Sequence, residues 1–196
     1  MNNDIFVAKA LSTLLTPFGF AAVASVVFSW FSPIGLGPMM SPLSSAAIGV
    51  LTLCVFPFLP VAYSVATGRS DLDVSDFKKR GPLYLLGLIG YVVGAAVFGA
   101  LNNKVMFVVA LAYFCVGLVT FLITLSWKIS AHTAGIAGPT TAFLFVFGIW
   151  ALPLYALSML MVWCRVRLQA HTLAQAVAGL LVAIVVTSFV YLVFYP

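Results

Sequence analysis

The chain contains no glutamate, four aspartates and nine basic residues, so only 7% of its 196 residues carry a formal charge. A typical soluble domain has roughly a quarter. That scarcity excludes a water-soluble globule, because 64% of the residues are apolar and there is too little polar surface to cover them. Disorder is excluded as well, since it requires low hydrophobicity. The three cysteines, Cys54, Cys115 and Cys164, each sit in an apolar run without metal-ligand spacing, so no disulfide framework or metal knot is implied. Histidine occurs only twice, at 132 and 171. The net charge of +5 is too sparse for the dense basic face that binds nucleic acid, so no nucleic-acid partner is expected.

What remains is an all-α, polytopic transmembrane helical bundle forming one integral membrane domain over residues 1–196. The mean hydropathy is +1.20, and the apolar runs are long and continuous, not the alternating ten-residue segments of a membrane barrel. The runs predict spans from about Leu11 to Phe31, Ser44 to Ala66, Pro82 to Leu101, Val105 to Trp127 and His171 to Tyr195. Pro57 and Pro60 predict a kink in the second. Gly90 and Gly94 predict close helix packing in the third. The stretch from Ala131 to Cys164 is nearly uncharged. As one straight span from Pro139 to Cys164 it would measure roughly 38 Å and put Arg165 across the membrane from His132. A turn between Gly148 and Pro153 would instead return Arg165 to the face of His132. Scattered ionisable residues at membrane depth cluster for function, which favours the turn and a count of six to seven spans.

Three polar clusters then share one face. The first is the loop from Thr67 to Arg80, which holds Asp71, Asp73, Asp76, Lys79 and Arg80. It reads as a phosphate-binding stretch, a Mg²⁺-binding aspartate cluster or a solvated loop. The second is Lys128-Ile-Ser130-Ala-His132. Here His132 could protonate a leaving-group oxygen, with Lys128 and Ser130 on phosphate oxygens; the alternative for Ser130 is a helix cap. The third begins at Arg165 and runs through His171 to Gln175. His171 and Gln175 are four apart, the spacing of one helical face, so the amide could hold the imidazole. A guanidinium beside an orientable imidazole suits attack on a phosphate.

Arg165-x5-His171-x3-Gln175 resembles the third signature of the type 2 phosphatidic acid phosphatase superfamily, Ser-Arg-x5-His-x3-Asp. Ile129-Ser130-Ala131-His132 resembles its second, Pro-Ser-Gly-His. Lys78-Lys79-Arg80-Gly81-Pro82 loosely echoes its first, Lys-x6-Arg-Pro. The order along the chain is the family's order. The resemblance implies a helical membrane phosphatase that uses no metal or other cofactor and acts on a membrane lipid phosphate or prenyl diphosphate. His171 would form a phosphohistidine and His132 would serve as the acid. Arg165, Arg80, Lys79, Lys128 and Ser130 would bind phosphate. The departures are Gln175 for the family's Asp, Ala131 for Gly, Cys164 for Ser, and Asp73 seven residues before Arg80 where the family has Lys. Two other classes stay open: a Mg²⁺-dependent transferase using the aspartate loop on a prenyl diphosphate, and a non-catalytic lipid-binding or transport protein.

Overall fold

The computed structural model describes residues 3–74, 76 and 79–195, among which 81% helix and no strand make an all-α bundle. Its helices are α1 (Asn3–Leu14), α2 (Pro17–Phe31), α3 (Pro42–Gly49), α4 (Phe56–Ala66), α5 (Arg80–Ala100), α6 (Lys104–Thr124), α7 (Ala131–Phe147), α8 (Tyr155–Arg167) and α9 (Leu173–Phe194). Five helical stretches are long and apolar enough to cross a membrane, and the bent α1–α2 pair makes a sixth. The outer face of α5 exposes Leu85, Leu86, Ile89, Val92 and Val93, a stripe that suits lipid. Exposed Trp30 and Trp150 lie at one end of the bundle and Trp127 and Trp163 at the other, as aromatic belts do at membrane interfaces.

The first expected span is two helices. Thr16 and Pro17 restart the chain: the Thr16 hydroxyl accepts from the Gly19 amide at 3.0 Å, and α1 and α2 meet at 46°. The kink expected at Pro57 appears upstream of it, as a π-helical stretch at Val50–Val55 joining α3 to α4. Proline lacks an N–H and its ring crowds the carbonyl four residues earlier, so the turn before it widens. Gly90 of α5 packs on that stretch. A Cβ there would lie 2.7 Å from the Thr52 carbonyl oxygen, which is the close approach that the glycine pair predicts.

The segment from Ala131 to Arg167 is 37 residues of nearly continuous helix, yet it reverses. Gly148 turns it at φ 69°, and a 3-10 stretch at Gly148–Leu154 leads into α8. The Thr141 and Tyr155 hydroxyls meet at 2.7 Å across the hairpin. At 1.5 Å per residue α7 is about 26 Å long and α8 about 20 Å, so the two are short. Arg165 thereby comes back beside His132. The hairpin is one of the five long apolar stretches, so with the bent α1–α2 pair up to six among the described residues are able to cross a membrane, against the six to seven expected.

The last helix starts later than expected. Thr172 is its N-cap, so His171 lies in the turn between α8 and α9 and not on α9. The starts of α7 and α9 are clamped together. The Thr133 hydroxyl donates to the Ala176 carbonyl at 2.8 Å, and a Cβ at Gly179 would collide with the Ser130 carbonyl oxygen. That crossing sets His132 and His171 at the same end of the bundle.

Candidate functional site

The site is the end of the bundle where the polar loop, the α6–α7 connection and the α8–α9 turn meet. Arg165 is its centre. The side chain is 1% exposed, and its Nη1 donates to both carboxylate oxygens of Asp73, at 3.2 and 3.3 Å, and to the Ser12 hydroxyl at 3.0 Å. Its Nε is buried with no partner among the described residues. His132 Nε2 lies 3.7 Å from the same Asp73 Oδ1. One carboxylate therefore bridges an arginine and a histidine that lie 33 residues apart in the chain.

His171 reaches this end through the way α8 stops. Gln169 adopts φ 54°, and the amides of Ala170 and His171 both return to the Arg165 carbonyl, at 3.1 and 3.3 Å. The five-residue gap between Arg165 and His171 is thus one left-handed helix stop. The ring is 6% exposed, and its Nδ1 lies 3.2 Å from the Lys128 carbonyl. A carbonyl can only accept, so Nδ1 carries the proton and Nε2 keeps its lone pair. Burial pushes the imidazole basicity down to about 4, helped by the charges of Arg80, Arg165 and Lys128, while the bond to the Lys128 carbonyl pulls it back. The ring is neutral at pH 7. The Lys128 ammonium is pushed down too, by burial first and then by Arg80 and Arg165. The two arginines, Lys128 and both histidines thus occupy one electrostatic neighbourhood.

Four residues take parts other than those expected. Among the described residues Gln175 makes no hydrogen bond to His171. It is the third residue of α9, and its side-chain oxygen accepts from the Thr172 amide at 3.1 Å while the Thr172 hydroxyl accepts from the Gln175 amide at 3.3 Å. This capping box satisfies two helix-start amides, and the Lys128 carbonyl does the orienting instead. Ser130 is fully buried as the N-cap of α7, its hydroxyl accepting from the Thr133 amide at 3.3 Å, so the helix cap is the part the structure gives it. Arg80 is 4% exposed and donates to three main-chain carbonyls: Nε to Val74 at 2.8 Å, Nη1 to Ile129 at 3.2 Å and Nη2 to Asp73 at 3.1 Å. It ties the polar loop to the entrance of α7 and lends the site its charge. Lys79 is exposed, with its ammonium 3.0 Å from the Arg69 carbonyl and 3.9 Å from Asp76, on the loop itself. Lys78 lies outside the described residues.

Two contributors have no counterpart among the expected phosphate or catalytic groups. Asp73 is expected from the sequence as part of an aspartate cluster and as the residue standing where the family has Lys, not as the partner of Arg165. Among the described residues no three His, Cys, Asp or Glu side chains gather as a metal-holding group, and Asp73 faces Arg165 instead. Ser12 sits 153 positions before Arg165 in the chain and carries no local signal. The capping box at Thr172 yields a direct prediction. Gln175→Ala costs about 1 kcal/mol of stability and leaves any turnover within about threefold, because the amide oxygen is held by the helix start and the ring by the Lys128 carbonyl. Thermal unfolding beside a rate measurement checks both halves.

An apolar cavity of about 160 Å³ opens from this end. Asp73, Arg80 and His132 stand at its polar end, and it runs between α4, α5, α6 and α7 past Leu83, Leu88 and Val116. No family model matches the chain, and no curated protein or solved structure matches it either.

Proposed function

We propose that the protein is a metal-independent lipid phosphatase of the type 2 phosphatidic acid phosphatase kind, working through a phosphohistidine. The observation that carries this reading is the Asp73 carboxylate, an anion seated on buried Arg165 and 3.7 Å from His132. A phosphate group in its place would meet the same guanidinium, including the unpartnered Nε. His171, neutral and anchored through Nδ1, offers Nε2 as nucleophile. Nε2 bonds to phosphorus while the phosphorus–oxygen bond to the lipid breaks. The electron pair leaves on the lipid oxygen, which takes a proton from His132 in its imidazolium form, leaving that ring neutral. Water then attacks phosphorus, gives its proton back to His132, and frees phosphate and the neutral imidazole. The cations of Arg165, Arg80 and Lys128 offset the charge that gathers on the phosphoryl oxygens.

The replacement of the family's Asp by Gln175 is the best argument for a protein that binds and does not turn over. The Lys128 carbonyl weakens it, because it fixes the tautomer that a carboxylate would fix. The transferase reading needs converging aspartates, whereas Asp73 faces Arg165 and Asp76 lies 3.9 Å from Lys79. The site end carries Arg69, Arg80, Arg165 and Arg167, while Lys104 starts α6 at the other end. By the positive-inside rule we assign the site to the cytoplasmic side of a cell membrane.

The test is phosphate release in EDTA from a prenyl diphosphate, a prenyl monophosphate, phosphatidic acid and phosphatidylglycerol phosphate, with His171→Ala alongside. Release that the substitution abolishes supports the phosphatase. Turnover that demands Mg²⁺ supports the transferase, and phosphate binding without turnover under either condition supports the lipid-binding protein.

A further inference from the structure

We propose that the cavity beside the site is the seat of one hydrocarbon chain, so that the substrate is a single-chain lipid phosphate and not a two-chain phospholipid. This rests on the phosphatase reading for the word substrate, but the cavity itself stands apart from any turnover. Its polar end is shared with the anion seat: Asp73 and His132 belong to both. Beyond that end the wall is mostly apolar, with Leu83, Leu88 and Val116 beside the rings of Tyr84, Tyr91 and Tyr113, and the Tyr84 and Tyr113 hydroxyls are buried without a partner among the described residues. The Thr120 hydroxyl, which also lines it, is turned back on its own helix, donating to the Val116 carbonyl at 2.7 Å. Two hydroxyls are too few to pair the donors and acceptors of a polar headgroup, whereas a hydrocarbon packs on the remaining wall without needing any.

Size decides the number of chains. An apolar cavity of about 150 Å³ holds one benzene, six carbons. The 160 Å³ here therefore takes about six carbons of a chain whose phosphate lies at the Asp73 and His132 end, where Asp73 meets Arg165. A diacylglycerol phosphate sends two chains away from one headgroup, and the second needs its own room. The neighbouring cavity, behind the Val116 and Ala134 wall, measures about 30 Å³, a single water's share. It cannot take a second chain. Val116 and Tyr113 of α6 line both cavities and so belong to the wall between them.

The experiment is calorimetric titration of the protein in lipid nanodiscs with non-hydrolysable n-alkyl phosphonates from methyl to decyl, with empty nanodiscs subtracted. Affinity should rise roughly fourfold per added carbon, as methylene burial from water requires, and level off near six carbons. A phosphonate branched at its first carbon into two propyl arms should bind at least tenfold more weakly than the hexyl compound. Val116→Phe, which fills the deep wall and touches none of the charged groups, should move the plateau to shorter chains. An affinity independent of chain length, or a branched compound as good as the linear one, overturns the proposal. The wild-type series decides even where Val116→Phe does not fold. Phosphonate binding is read without turnover. A chain-length series with no phosphate release therefore keeps the cavity assignment and removes the phosphatase reading, and release without a series does the reverse.

Discussion

Replacing His171 by alanine is expected to cut phosphate release by roughly a thousandfold or more, the loss typical of a removed nucleophile, with little loss of fold. The ring makes one described hydrogen bond, to the Lys128 carbonyl, so its removal costs stability on the order of 1 kcal/mol plus some packing. Release rates in EDTA and thermal unfolding on the same preparation check the pair. Wild-type protein should also yield an acid-labile phosphoryl adduct from labelled substrate, and the variant none. Equal release from both proteins would remove His171 from the mechanism.

The pH dependence follows from the same ring. Its basicity is pushed down to about 4, chiefly by burial and then by the two arginines, against about 6.5 for an unfolded histidine. Between those values the unfolded chain holds a proton that the folded chain lacks. Stability therefore rises with pH through the window and falls as the solution is acidified from 6.5 toward 4. His171→Ala should flatten that part of the stability profile. The nucleophile stays neutral down to the same region, so the acid limb of kcat/KM is expected near pH 4 to 5. A limb at 6.5 would mean that the ring is solvated and unpressed by charge.

The parts of this site that local rules govern are legible in the sequence, and those that depend on long-range approach are not. Arg165 and His171 are readable as a pair because a helix stop of fixed length joins them. The hairpin at Gly148 is readable from charge: only a reversal keeps Arg165 on the face of His132. Gln175 misleads because a spacing of four implies a shared helical face, and that holds only inside a helix. The sequence contains the correction in Thr172-x-x-Gln175, a capping box that starts α9 one residue after the histidine. Ser130 is likewise explained by its cap. Asp73 and Ser12 are different, for nothing within ten residues of either announces Arg165. They meet it because the polar loop folds back under Arg80 and because α1 packs along α8.

Asp73→Asn is expected to bind inorganic phosphate tenfold or more tightly than the wild type. The carboxylate occupies the guanidinium imperfectly. Both of its oxygens lie on the single nitrogen Nη1, not on the two-nitrogen fork that arginine offers, and Nε is left bare. A phosphate brings more oxygens and more charge, yet it must first displace a resident anion. Removing that anion's charge removes the competition. It also leaves Arg165 buried without its counter-charge. Because Asp73 is 42% exposed, the cost is discounted from the buried-pair range to about 1–2 kcal/mol. Phosphate should restore this loss, since a ligand at a hundred times its Kd adds about 2.7 kcal/mol to the folded state. Thermal unfolding of both proteins across a phosphate series reads both effects, with Arg165→Gln as the protein in which phosphate does nothing. A variant as stable as the wild type and no better at binding phosphate would show that the carboxylate does not sit in an anion seat. A fall in turnover with no gain in phosphate affinity would point to a different task for Asp73, holding His132 in place for the leaving oxygen. The two tasks predict opposite movements of KM and kcat, so one substitution separates them.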